Sequence, residues 1–198
     1  MERDPLVAQP AAGRPRSAEA HEAILRAAID VIREVGYDAA AMDAIAARAG
    51  VGKATVYRRW SSKEALVADA IERIMVAHTV PDTGTTRGDL RAVMRDTMRM
   101  YHDPQTTALL SSLVAAMARS ENIAKAVRGG FVAARRDTMQ AVIERGIERG
   151  DLRANTDVKL ALDLLSGPLL LRALITGAPI DERLVRGVVD AVLAAFAP

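Results

Sequence analysis

Between Arg48 and Lys63 the chain places five cations, Arg48, Lys53, Arg58, Arg59 and Lys63, and no acid. Guanidinium and ammonium groups at this density can neutralise phosphates and donate to base edges. Interleaved with them are a threonine and a tyrosine, Thr55 and Tyr57, whose hydroxyls can bond to a sugar–phosphate backbone. A compact basic cluster on a short helix after a tight turn is what a DNA-reading element needs. The whole chain carries only 27 Lys and Arg against 25 Asp and Glu, a net charge of +2. Charge is therefore informative here by its distribution and not by its sum.

The elements that must hold these residues follow from apolar spacing. Half of the 198 residues are hydrophobic and only 3% aromatic, so Leu, Val, Ile, Ala and Met build the core. Alternating β-branched runs are scarce, which predicts an all-α protein of about nine helices. Helix one is expected from Ser17, an N-cap with Glu19 and Glu22 behind it, with Ile24, Ala28, Val31, Ile32 and Val35 as its stripe. Gly36 stops it. A second helix covers Met42 to Ala49 and Gly50 ends it, since glycine accepts the left-handed backbone that a sharp turn requires. The third is brief, near Lys53 to Trp60. Ser61 and Glu64 have the spacing of a capping box for the fourth; Asp43 is expected to cap the second, since an acid facing phosphates would repel them.

Residues 81–88, with Pro81, Gly84 and Gly88, read as a polar connection. Five further helices follow: one from Asp89, one capped by Asp103 with Pro104 at its first position, and one from Ser120 to Arg149 closed by Gly150. The eighth is opened by Asn155 and Thr156, and the ninth by Asp181, with Ile180 and Val185 placed as a hydrophobic staple. Pro168 is expected to kink the eighth. Residues 1–16, with three prolines, read as a flexible arm. Its Arg14 and Arg16 suit either a minor groove or plain solvation.

Helix one and residues 42–66 closely resemble the DNA-binding domain of the tetracycline-repressor (TetR) family of bacterial regulators. The matching residues are Ile45-Ala46, Ala49-Gly50-Val51, Thr55-Val56-Tyr57 and Ser62-Lys63-Glu64-Ala65-Leu66. Asp151-Leu152-Arg153 and Gly167-Pro168 look like the pattern of one common subgroup. The resemblance implies a three-helix helix-turn-helix domain, 17–63, and a C-terminal ligand-binding and dimerisation domain, 64–198. It also implies site residues. Lys53, Ala54 and Arg59 stand where the family reads base edges. Thr55, Tyr57 and Lys63 stand where it meets the DNA backbone, with Arg58 beside them. Thr55 is expected to offer both its hydroxyl and its backbone N–H to a phosphate. Trp60 is expected in the core, against Ile45 or Leu66.

The C-terminal helices carry more apolar surface than one core uses. Leu160, Leu164 and Leu171 of helix eight, with Val185, Val188, Val189, Val192 and Phe196 of helix nine, are expected to pair across the two-fold axis of a homodimer. Family members hold a small-molecule effector among the preceding helices. Met94, Met98, Tyr101, His102, Leu113, Met117, Phe131, Arg135 and Met139 are the residues expected to line such a pocket, methionine suiting an adaptable cavity. Arg135 could meet an anionic ligand or a surface carboxylate. His21 and His78 are expected on the surface.

The reading is a ligand-responsive transcriptional regulator, a repressor that binds a palindromic double-stranded operator as a homodimer. The alternative is a nonspecific or architectural DNA-binding protein. An enzyme is not expected. Cysteine is absent, no His-Glu-x-x-His metal motif or glycine-rich phosphate loop occurs, and His102-Asp103 lacks a third partner. No cofactor or metal is expected. No signal peptide or 18-residue apolar span is legible, and a cytoplasmic protein is expected.

Overall fold

The computed structural model describes residues 15–74 and 79–198, with side chains over 18–71 and 79–198. Every regular element among them is helical. The chain runs α1 (Pro15–Ala39), α2 (Met42–Arg48), α3 (Lys53–Tyr57), α4 (Lys63–Ile74), α5 (Thr86–His102), α6 (Pro104–Met117) and α7 (Glu121–Ala126). It continues through α8 (Ala133–Glu148), α9 (Val158–Leu171) and α10 (Glu182–Ala195). A π-helical turn, Val127–Val132, joins α7 to α8 without a break, so the described residues form nine rods, as the sequence predicts. A second π-helical turn, Arg172–Thr176, extends α9 and ends at Gly177. Pro168 lies inside α9, which passes through it. Residues 1–14 of the expected arm and His78 fall outside the described residues, while Pro15 and Arg16, also assigned to the arm, belong to α1.

Several helix starts differ by a residue or two from expectation, each for a local reason. Ser62, not Ser61, caps α4, accepting from Ala65 N–H at 3.2 Å. Ser61 sits exposed in the bend after the anchored Trp60, so the next hydroxyl is the one that meets the free N–H groups. Thr156 closes a turn on the carbonyl of Arg153, which leaves Asp157 to cap α9 by accepting from Leu160 N–H. The described helix α1 already begins at Pro15, so Ser17 is not its cap. Asp103, Ser120 and Asp181 cap α6, α7 and α10 as predicted.

Two apolar clusters result. The first unites α1, α2, α3 and α4 with Leu109, Leu113 and Ala116 of α6, Ile123 and Ala126 of α7, and Val127. The second is built from α5, α8, α9 and α10, closed by Leu152 and Phe196. The helix-turn-helix thus shares its core with α6 and α7.

The resembling tripeptide 151–153 has a structural office at the seam of the second cluster. Asp151 accepts from the N–H and hydroxyl of Thr86, at 3.0 and 2.8 Å, capping α5 from across the fold. Leu152 is buried, and the Arg153 guanidinium lies 5.3 Å over the Phe196 ring. Nearby, the fully buried Asp89 accepts from Thr83 N–H, the Thr83 hydroxyl and Arg149. A buried carboxylate is tolerated when paired and bonded in this way.

Two predictions arise here. A Cβ at Gly146 would stand 2.6 Å from Thr86 Oγ1 and 2.7 Å from its Cγ2. Thr86 is buried and held by Asp151, so it cannot swing aside. Alanine would gain about 1 kcal/mol of helix propensity but lose about 1–3 kcal/mol to overpacking. Gly146→Ala is therefore expected to lower Tm; an unchanged or higher value would show that α8 can back away from α5. The Thr86 backbone and hydroxyl bonds also hold the Asp151 carboxyl below its ordinary range. Its contribution is present above the unfolded pKa, about 4, and is lost as pH falls through the lower folded value. Asp151→Asn should flatten that acid limb of a stability–pH curve.

Candidate nucleic-acid interface and ligand cavity

α3 has five residues, too few to be stable alone, and its seat comes from its neighbours. Val56 is fully buried, and the turn before it is set by Gly50 at φ +67°. Trp60, just beyond α3, is buried in the same cluster as Ile45 and Leu66. Its indole N–H donates to Asp69 at 2.9 Å, and its ring stacks on His21 at 5.0 Å. His21 is thus a packing partner of the head and not the plain surface residue expected.

This seat turns Lys53, Ala54, Tyr57 and Arg58 outward, Tyr57 being 52% exposed. Thr55 and Arg59 are partly buried at the edges of that face. The structure redistributes the five cations. Arg48 is bound at both nitrogens by Glu34 of α1, at 2.8 and 2.7 Å. Lys63 donates to the carbonyls of Tyr37 and Asp38 at 2.8 and 3.1 Å, and lies over the Tyr37 ring. It therefore locks the end of α1 to α4, a job the sequence did not reveal because those carbonyls are 26 and 25 residues away. Arg58 is exposed, with no acid paired to it among the described residues.

Two expectations need correction. Asp43 does not cap α2, whose N-cap is Ala41; its carboxylate pairs with Lys53. The Thr55 N–H is taken by the carbonyl of Gly52 at 2.8 Å, so its hydroxyl is what remains to offer. The Asp43–Lys53 pair places an acid beside an amine that faces outward. Asp43→Asn is expected to tighten binding to duplex DNA severalfold and to steepen the decline of affinity with salt, since one more cation is free to displace counterions. Unchanged affinity and slope would show that Lys53 never meets DNA.

Behind the head, α5, the π-helical turn Val127–Val132, α8 and α9 line a half-open cavity of about 310 Å³. Met94, Tyr101, Phe131, Arg135 and Met139 line it, together with Thr97, Val132, Arg136, Asp163, Leu165, Ser166, Gly167 and Leu170. Four expected residues lie elsewhere. Leu113 is buried in the first cluster and Met117 packs against it, because α6 belongs to the head's core. Met98 packs on the second cluster without reaching the cavity lining. His102 is exposed, its Nε2–H donating to the Ile180 carbonyl at 2.7 Å. The wall supplied by α9 was missed, because its apolar excess reads equally well as interface.

That excess is divided by the fold. Leu160, Leu164 and Leu171 are 47, 42 and 51% exposed, on one stripe of α9, with Leu170 and Ile175 also outward. On α10, by contrast, Val185, Val189, Val192 and Phe196 are buried in the second cluster, and Val188 packs partly against it. These five serve the chain's own core and are not a free surface. Its outward residues are instead Arg183, Arg186, Gly187, Asp190, Ala191, Ala194 and Ala195.

Comparison with known proteins follows the same division. Residues 24–70 match the family model described as bacterial regulatory proteins, tetR family, and residues 80–192 that described as tetracyclin repressor-like, C-terminal domain. The chain is 37% identical over 185 residues to the uncharacterized HTH-type transcriptional regulator YdeS of Bacillus subtilis, covering 93% of this chain and 91% of that one. It is 32% identical to the DNA-binding transcriptional repressor TetR of Mycobacteroides abscessus, covering 92 and 94%. Among solved structures, the TetR family transcription regulator SCO0332 superposes with a TM-score of 0.71 at 28% identity, over 91% of this chain and all of that one.

Proposed function

The chain belongs to the tetracycline-repressor family of DNA-binding transcription regulators, and from that premise we propose that it is a ligand-responsive repressor acting as a homodimer. In this reading residues 17–63 read DNA, and residues 64–198 bind the effector and a second copy. Two α3 helices, about 34 Å apart, enter successive major grooves of a palindromic operator. Lys53, Ala54 and Arg59 face base edges. Tyr57, the Thr55 hydroxyl and Arg58 meet the backbone, and Lys63 holds the frame that aims them. The exposed stripe Leu160, Leu164 and Leu171 covers its counterpart on the partner. The protein works in the cytoplasm, where its operator is.

The observation that carries the reading is the π-helical turn Val127–Val132. Its Phe131 and Val132 line the cavity. Its Val127 lies in the core shared with the head, and the turn packs against α4. π-helical turns recur at functional sites, where a wide turn aims a side chain inward. A ligand that moves Phe131 therefore moves the helix on which the head is mounted. Such a ligand releases DNA to the extent that it binds the released state more tightly.

The test is fluorescence anisotropy on the DNA flanking this gene and on unrelated duplexes of equal length. A regulator should prefer the flanking fragment by about a thousandfold or more. Equal affinity for all duplexes, changed only by salt, would establish the nonspecific alternative. Within a specific complex, Tyr57→Phe should weaken every sequence alike, whereas Lys53→Ala should relax preference at one base position.

A further inference from the structure

The arginines of α5 and α8 are bound by carboxylates with one exception. Arg87 and Arg91 pair with Asp190, Arg95 with Glu182, Arg99 with Asp96, Arg136 with Asp163, and Arg145 with Asp82 and Asp89. Arg135 has no carboxylate within ion-pair distance among the described residues. It lines the cavity instead. Its guanidinium donates to the Thr97 hydroxyl at 3.2 Å and to the Met100 sulfur at 2.7 Å, and stands 5.0 Å over the Phe131 ring. A hydroxyl, a thioether and a ring face are weak neutral partners for a full charge. Its Nε is buried without a partner, as are those of Arg91 and Arg145, so it is the missing carboxylate that sets Arg135 apart.

The nearest carboxylate acting on it, Asp96, is taken by Arg99, and a half-buried cation in an apolar cavity is costly unless an anion is supplied. We infer that the cavity takes a small organic anion, with a flat or aliphatic apolar body, whose carboxylate or equivalent acidic group pairs with Arg135. This deepens the proposed effector site and rests on it.

The rest of the lining fits such a molecule. Met94, Leu165 and Leu170 give an apolar body its contacts, and Phe131 gives it a ring face. The polar rim is already neutral, since Arg136 and Asp163 satisfy each other at 2.6 Å. Burial pushes the Tyr101 phenol up, so at neutral pH it remains a hydroxyl able to donate to the same anion. About 310 Å³ lies at the small end of ligand cavities, a size for a compact acid and not for a long conjugate.

The experiment uses the full-length protein and a panel of acids, among them benzoate, 2-naphthoate and octanoate, each with its primary amide. Calorimetric Kd values are measured for the wild type, Arg135→Gln and Arg135→Lys. At least one acid should bind the wild type about tenfold or more tightly than its amide. Arg135→Gln should bring that ratio near one, and Arg135→Lys should keep part of it. Amides binding as well as acids, a ratio surviving in Arg135→Gln, or no acid binding would overturn the inference. Should Arg135→Gln not fold, the wild-type acid-to-amide ratio and Arg135→Lys still decide it. Anisotropy on the flanking DNA is read in parallel. Specific binding released only by neutral compounds would sink the anion and leave the regulator standing. Absence of specific DNA binding would instead sink the regulator.

Discussion

Leu164→Glu combined with Leu171→Glu is expected to leave a folded monomer whose operator affinity falls by about 10²–10⁴-fold. Both side chains are exposed on the outer stripe of α9 and absent from either core cluster, so their loss should cost the fold little. In a dimer they would meet their own copies across a two-fold axis, where four glutamates cannot be accommodated. Binding through one head forfeits the second, effectively intramolecular contact, which is the source of the fold-change. Light scattering reports the mass and anisotropy the affinity. A variant that still sediments as a dimer would place the interface on another surface. One that is monomeric yet binds as before would end the two-headed reading.

Trp60→Ala should have the other large effect, by a different route. The indole is buried, bonded to Asp69 and stacked on His21, and removing a buried tryptophan costs about 3–5 kcal/mol. The loss falls beside a five-residue helix that has no independent stability. DNA binding should therefore disappear while the second cluster keeps its helical signal, because its residues lie in other helices. Trp60→Phe should retain much of the packing and lose chiefly the bond to Asp69, at about 1 kcal/mol. If Trp60→Ala binds DNA like the wild type, α3 is held from elsewhere.

The outward face of α3 was legible because its signals are local. A turn glycine, a threonine and tyrosine two residues apart on one short helix, and a basic run after a buried valine all act within one turn of each other. The partners of that face were not. Glu34 binds Arg48, Asp43 binds Lys53, and the carbonyls of Tyr37 and Asp38 bind Lys63. These meetings depend on how α1, α2 and α4 cross. They show that part of the conspicuous basic cluster is scaffold.

The cavity divided along the same line. Met94 and Tyr101 of α5, Phe131 of the π-helical turn, and Arg135 and Met139 of α8 were expected from their chemistry, and they do line it. Leu113 and Met117 have equally suitable chemistry but lie on α6, which the fold assigns to the head's core.

By itself, then, the sequence determined the helical class, the rods and most of their caps, and the short helix that presents a basic, hydroxyl-bearing face, because these depend on residues within a few positions of one another. Only the tertiary structure decided which cations are free, that α10 spends its valines on its own core, and that Arg135, among the described arginines of α5 and α8, lacks an ion-paired acid. Those outcomes depend on which helix faces come together in space, and an apolar or charged stripe carries no record of its partner.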